Sequence, residues 1–114
     1  MNYSKLMLAL YKSLLEVKYN WNESKYDEDE LKDECEVLIN IIDHDEIIRE
    51  AILQSTVIKY YVKVKQIILK IIKGKISCNN YNESLQECLN ILEELDEDFI
   101  KIDPDYKNYI MYKE

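Results

Sequence analysis

The stretch VIKYYVKVKQIILKIIKG, residues 57–74, decides the fold class because its polar and apolar side chains recur at helical spacing. Its polar stripe, at four- and three-residue steps, consists of Lys59, Lys63, Gln66, Lys70 and Lys73. Its opposite side is apolar and consists of Val57, Tyr60, Tyr61, Val64, Ile67, Ile68, Ile71 and Ile72. We therefore predict an amphipathic helix that ends at Gly74, the only glycine, in the position where a left-handed residue terminates a helix.

This helix extends upstream in sequence, because residues 45–73 contain neither glycine nor proline. If it is continuous, its length is about 44 Å at about 1.5 Å per residue. Polar and β-branched residues near Ser55 weaken helix preference. The sequence leaves open whether the helix is continuous or is broken there.

Three other helices are predicted from apolar spacing and capping residues. The first extends from about Tyr3 to Trp21, and the second starts near residue 28, because Asp27 and Glu30 have capping-box spacing. The fourth follows Asn80 or Asn82 and ends at Asp103, because the residue before Pro104 avoids helical angles. The expected buried residues of the second and fourth helices are Leu31, Cys35, Leu38, Ile42, Leu85, Cys88 or Leu89, Leu92, Leu95 and Phe99.

The predicted fold is an all-α antiparallel bundle of about four helices with a long central third helix. The 114 residues form one domain, 1–114, because a chain of this length supports a single core. The tail after Pro104 carries Tyr106, Tyr109 and Tyr112, which is too apolar for a free terminus. We expect it to fold back as a short C-terminal helix or to bind a partner.

The composition argues against an enzyme. One glycine excludes glycine-rich phosphate loops, dinucleotide fingerprints and nucleophile elbows. A single histidine, His44, and three irregularly spaced cysteines argue against a metal site and a disulfide framework, so we expect no cofactor. Cys35 and Cys88 are expected to fill apolar positions, and the acidic residues around His44 are expected to cap a helix.

Charge is segregated along the chain, whose formal net charge is −8. Residues 23–50 hold 12 acidic and 3 basic side chains, and residues 78–106 hold 9 and 1. Residues 51–77 hold 6 lysines and no acidic residue. A basic helix is thus expected between two acidic ones, and we interpret its lysines as the exposed strip of a bundle helix in preference to a membrane or nucleic-acid surface.

The acidic helices are the candidate functional surfaces, because closely spaced carboxylates resemble a track of phosphates and favour encounter with a basic protein. Tyrosine is also enriched in protein interfaces, which adds the tail tyrosines. The candidate partner-binding residues are Glu28, Asp29, Glu30, Asp33, Glu34, Glu93, Glu94, Glu97, Asp98, Tyr106, Tyr109 and Tyr112.

The sequence predicts a cytoplasmic protein, because it has neither a signal peptide nor 18 consecutive apolar residues. An acidic chain should repel nucleic acid and anionic lipid, so we expect a protein partner with a basic surface. Frequent Ile, Lys, Asn and Tyr, with Arg49 the only arginine, are typical of AT-rich coding sequences such as those of some phages and mobile elements.

In size, charge and helicity alone, the chain is similar to small acidic phage inhibitors of host defence, such as anti-CRISPR proteins, and to bacteriocin-immunity proteins. The leading hypothesis is a non-enzymatic inhibitor that masks a basic, nucleic-acid-binding type of surface on a host protein. The alternatives are an immunity protein against a toxin and a homo-oligomeric adaptor that assembles as a homodimer through the third helix.

Overall fold

The computed structural model describes residues 3–44, 49, 55–106 and 108, and every regular element in them is helical. The α-helices are α1 (Tyr3–Asn22), α2 (Glu28–Ile42), α3 (Ser55–Ile72), α4 (Tyr81–Leu92) and α5 (Asp96–Ile102). Two short 3-10 turns, Cys78–Asn80 and Glu93–Leu95, precede α4 and α5. The prediction of an all-helical chain is confirmed for this part of the sequence.

The four longer helices surround one apolar core. Helix α1 packs against α2 and α4, and α3 packs against the same two helices from the other side. Helix α5 packs against α1. Each predicted stripe contributes to this core, and its fully enclosed side chains include Leu10, Leu14, Leu31, Leu38, Ile68, Ile71, Leu85 and Leu92.

Helix α2 begins as its sequence predicts. The Asp27 carboxylate accepts a hydrogen bond from the backbone N–H of Glu30 at 2.8 Å, and the Glu30 carboxylate accepts from the backbone N–H of Asp27 at 3.3 Å. This reciprocal pair satisfies two amides that have no partner within the helix. The four residues expected on the inner side of α2, Leu31, Cys35, Leu38 and Ile42, are all buried.

Helices α1 and α3 end in the same way, on a residue in the left-handed region. Gly74 has φ +68, and the amide of Lys75 donates to the carbonyl of Lys70 at 2.9 Å, as the sequence led us to expect of this glycine. Ser24 has φ +58, and the amide of Lys25 donates to the carbonyl of Asn20 at 2.9 Å. A serine in this conformation is strained, whereas a glycine is not.

The predicted fourth helix is interrupted, which corrects the expectation of one continuous helix up to Asp103. Helix α4 stops at Leu92, a 3-10 turn covers Glu93–Leu95, and α5 begins at Asp96. Carboxylates are repelled by the partial negative charge at a helix C-terminus and are attracted by the partial positive charge at a helix N-terminus. Glu93 and Glu94 therefore end one helix, while Asp96, Glu97 and Asp98 lie in the first turn of the next.

The third helix is described from Ser55 to Ile72. Most of the upstream half of the predicted helix, residues 45–48 and 50–54, lies outside the described residues, so its continuity stays a prediction. Asn80 occupies the N-cap position of α4 but makes no capping hydrogen bond with its side chain, because a 3-10 turn leads directly into the helix.

The two left-handed helix ends give opposite expectations for substitution. Ser24→Gly should raise the free energy of unfolding by about 1 kcal/mol, because glycine adopts positive φ without strain. Gly74→Ala should lower the free energy of unfolding by about 1–2 kcal/mol, because alanine is strained at positive φ. A clash would add little to this cost, because the added Cβ would meet only the flexible Lys32 side chain at 3.9 Å. Urea titration followed by circular dichroism measures both changes.

Ser77→Gly is the matched control for Ser24→Gly. Ser77 is also an exposed serine before a helical segment, but its φ of −63 suits any residue. Glycine at position 77 should therefore leave stability unchanged or reduce it. Equal stabilisation by both glycines would contradict the role assigned to the backbone angle of Ser24.

Candidate protein-binding surfaces

The outer side of α2 is an acidic surface. Asp29, Asp33 and Glu36 are exposed and recur at four- and three-residue steps, so their carboxylates follow one side of the helix. Successive members are about 5–6 Å apart along the axis at about 1.5 Å per residue. Glu28 and Glu30 are also exposed, Glu34 is half-buried, and Glu30 is engaged in the capping box.

A second acidic surface lies at the α4–α5 junction, which we call the acidic turn, residues 93–98. Its first two carboxylates are held by the helix bundle: Glu93 accepts a hydrogen bond from the hydroxyl of Tyr11 at 3.0 Å, and Glu94 pairs with Lys59 at 3.4 Å. Glu97 and Asp98 are exposed, and neither forms an ion pair with the part of the chain that the structure describes. The turn therefore presents two carboxylates from a backbone fixed beside the core.

The two acidic surfaces lie at different ends of the helices. Near the start of α2, the Trp21 ring contacts the Tyr81 ring at 5.3 Å, and Glu28 raises the pKa of Tyr81 electrostatically, in addition to the larger effect of burial. The acidic turn instead contacts the first half of α3 through Lys59 and the middle of α1 through Tyr11. Sequence spacing carries no sign of this separation, because it results from contacts between distant segments.

Tyr106, which the sequence suggested as a partner-binding residue, is buried in the core. Its side chain is 3% exposed and packs edge-on against Tyr11 and Phe99, with ring centroids at 5.9 Å and 5.6 Å. The tail does turn back onto the core at this residue. Tyr109 and Tyr112, the other two tail tyrosines, lie outside the described residues.

Within the acidic cluster around His44, Asp43 connects α2 to α3. The Asp43 carboxylate accepts hydrogen bonds from the Tyr61 hydroxyl at 3.0 Å and from the Lys65 ammonium at 2.8 Å. Lys65 also donates to the Tyr61 hydroxyl at 3.1 Å, and its hydrogen bonds to Asp43 and then to Tyr61 raise the pKa of Lys65. Asp43 is also the C-cap of α2, and its side-chain bonds join α2 to α3. The start of the next helix, which the sequence predicts Asp43 to cap, lies outside the described residues. Asp45 and Glu46 lie outside the described residues.

The lysines of α3 are exposed along one strip, as the sequence predicts: Lys59, Lys63, Lys70 and Lys73 all face solvent. Near the end of the helix, Lys70, Lys73 and Lys75 line a depression of about 340 Å³ together with Gln66 and Leu69. None of these three lysines forms an ion pair with a described residue. The depression is a basic site on an otherwise acidic chain.

Some exposed apolar side chains were missed from the sequence. Val37 is 52% exposed, Ile58 43%, Val62 39% and Ile100 39%. The available signal was their position: Ile58 and Val62 fall outside the buried stripe of α3, where a lone helix in solvent would carry polar residues. Ile100 lies on α5, one turn beyond Glu97.

The thiols of Cys35 and Cys88 are buried in the core, as expected, whereas that of Cys78 is exposed. Burial raises the pKa of Cys35 to about 12 and that of Cys88 further. Among the described residues, no group of three or more His, Cys, Asp or Glu side chains is placed to hold a metal ion. In the same part of the chain, no helix combines the length and apolarity that a membrane crossing requires.

No protein-family model, curated protein or solved structure matches the chain.

The free energy of unfolding should fall in alkaline solution, and deprotonation of Tyr11 in the unfolded chain should contribute to this fall above pH 10. Burial, and then the Glu93 carboxylate, raise the pKa of Tyr11 far above its ordinary value of 10.0. The folded chain keeps this proton when the unfolded chain releases it, so the contribution of Tyr11 to stability is full below pH 10 and declines above it. The thiols of Cys35 and Cys88, with ordinary values of 9.0, act in the same direction from pH 9.

Urea titrations from pH 8 to pH 11.5, on the wild type and on Tyr11→Phe, measure this effect. The variant should be less stable at pH 8, because Glu93 loses the hydrogen bond from the Tyr11 hydroxyl, but its decline above pH 10 should be shallower. Tyr60→Phe is the control, since Tyr60 is only half-buried. Parallel declines of the wild type and Tyr11→Phe above pH 10 would show that Tyr11 titrates normally.

Proposed function

We propose that the chain is a small acidic, non-enzymatic inhibitor, encoded by a phage or mobile element, that masks a basic surface of a host protein in the cytoplasm, as anti-CRISPR proteins do. The observation that carries the proposal is the acidic turn. It holds Glu97 and Asp98 exposed on a backbone that Glu93 and Phe99 anchor to the core. Carboxylates on a backbone that is fixed before binding lose less conformational entropy when they meet a cationic partner.

The acidic turn is a better contact than the first turn of α2. Acidic residues at the start of α2 have a local explanation. Glu30 belongs to the capping box, and Glu28 and Asp29 interact favourably with the partial positive charge of the helix N-terminus. At the acidic turn, Glu97 and Asp98 also lie in the first turn of a helix, but there Ile100 adds an exposed apolar side chain beside Glu97. Apolar side chains bordered by charge are typical of protein interfaces.

The proposed framework for this surface is an antiparallel bundle. It is supported by the contact between the Trp21 and Tyr81 rings, which joins the end of α1 to the start of α4. It is also supported by the Lys32 ammonium of α2, which lies 3.9 Å from where a Cβ on Gly74 would stand, at the end of α3. The Asp43 bond to Lys65 supports the same alternation at the other end of α2.

The test is capture of a host protein by the immobilised chain, with the Glu97→Lys/Asp98→Lys variant beside the wild type. Reversal of two contact charges should weaken binding at least about tenfold and reduce its dependence on salt. Glu83→Lys/Glu87→Lys is the control, because it makes the same charge change at exposed positions on α4.

An equal loss of binding affinity in Glu97→Lys/Asp98→Lys and Glu83→Lys/Glu87→Lys would show that net charge alone governs binding. Retention of the partner by Glu97→Lys/Asp98→Lys would overturn the assignment of the acidic turn. A captured protein that is a toxin, and whose lethality the chain suppresses on coexpression, would favour an immunity function over host inhibition.

A further inference from the structure

The surface formed by α2 and α3 combines a groove with exposed apolar side chains. Glu36, Ile39 and Asn40 of α2 and Leu69 and Ile72 of α3 line a groove of about 320 Å³. On α3, Leu69 continues a line of side chains through the exposed Val62 and Ile58. Steps of four and seven residues place these three side chains on one side of the helix. The surface therefore has an apolar strip along its centre.

Opposite charges border this strip. On one side, α2 presents Asp29, Asp33 and Glu36, and on the other α3 and its C-terminal loop present Lys73 and Lys75. Within the described part of the chain, none of these five side chains forms an ion pair. The surface is thus divided into an acidic half and a basic half.

The two halves lie at the same height along the helices. A Cβ at Gly74 would contact the Lys32 ammonium at 3.9 Å, and Lys65 pairs with Asp43 at 2.8 Å. Lys73 and Lys75 therefore lie level with the first half of α2, which carries Asp29 and Asp33. The acidic and basic halves are consequently side by side across the groove.

We propose that this surface binds the same surface of a second copy of the chain, about a two-fold axis parallel to the helices. Such an axis places α2 of each copy against α3 of the other, because an isologous interface exchanges its two halves. The acidic strip of α2 in each copy then faces Lys73 and Lys75 of the other copy, so this contact is made twice. Val62 and Leu69 are buried near the axis.

Charge complementarity selects this occupant. A nucleic acid would meet Lys73 and Lys75 only with Asp33 and Glu36 close by, which would repel its phosphates. A second copy satisfies both halves at once. The net charge of −8 on each copy opposes association at long range, but at physiological ionic strength this repulsion is screened beyond about 8 Å.

A charge-swap experiment tests the dimer without any other partner. The first variant, Asp33→Lys/Glu36→Lys, makes both halves of the surface basic, and the second, Lys73→Glu/Lys75→Glu, makes both acidic. All four positions are exposed, so the fold should tolerate the changes, which circular dichroism verifies. The measured quantity is the mass of the particle, from sedimentation velocity and native mass spectrometry at about 100 µM. At this concentration, a dimer with a Kd of about 10 µM or below would be the main species.

We expect the wild type to be a dimer, each variant alone to dissociate at least about tenfold more readily, and an equimolar mixture to form heterodimers. A contact between acidic and basic halves predicts that the two impaired variants restore each other. A monomeric wild type at this concentration would overturn the proposal. Undiminished dimers of either variant, or a mixture that stays monomeric, would also overturn it.

Glu97→Lys/Asp98→Lys is the matched control, because it reverses two charges outside this surface and should leave the dimer intact. The inference is independent of the proposed inhibitor function. Loss of host-protein capture with normal dimerisation, or the reverse, identifies which proposal has failed.

Discussion

The hydrogen bond from the buried Tyr11 hydroxyl to Glu93 is the interaction on which the position of the acidic turn depends. The Tyr11 ring lies against Phe99 and Tyr106, with centroids at 5.7 Å and 5.9 Å. One side chain of α1 thereby positions the end of α4, the whole of α5 and the start of the tail. Since a buried hydroxyl without a partner is costly, the carboxylate of Glu93 is fixed at this place. The acidic turn is therefore part of the packed structure.

Local features of the fold were predictable from the sequence because they depend on neighbouring residues. The capping box of Asp27 and Glu30 gives the start of α2, and Gly74 gives the end of α3. The break after Leu92 was also encoded locally, in carboxylates that oppose the helix dipole, but continuous apolar spacing from Leu85 to Phe99 concealed it. Ser24 gave no warning of its left-handed angle, because serine seldom takes this position.

The candidate site was predictable in composition and not in arrangement. The carboxylates of α2 and of the acidic turn were recognisable as acidic runs, but contacts across the fold determine which of them are already engaged. Tyr106 shows the limit most clearly: its chemistry suits an interface, yet its packing against Tyr11 and Phe99 removes it from the surface. Segregation of charge along the chain likewise becomes meaningful only where helices are adjacent, as α2 and α3 are.

The two proposals assign the acidic residues to different tasks that do not compete for surface. Dimerisation through α2 and α3 uses the strip of Asp29, Asp33 and Glu36, and it leaves the acidic turn at the α4–α5 junction outside the contact. A dimer would then carry two acidic turns, related by the two-fold axis, and a partner with two basic sites would engage both. The second contact would be intramolecular and would strengthen binding beyond that of either turn, provided that the spacing of the basic sites matches. In the proposed dimer, the basic half of the α2–α3 surface would allow two copies with the same net charge to associate.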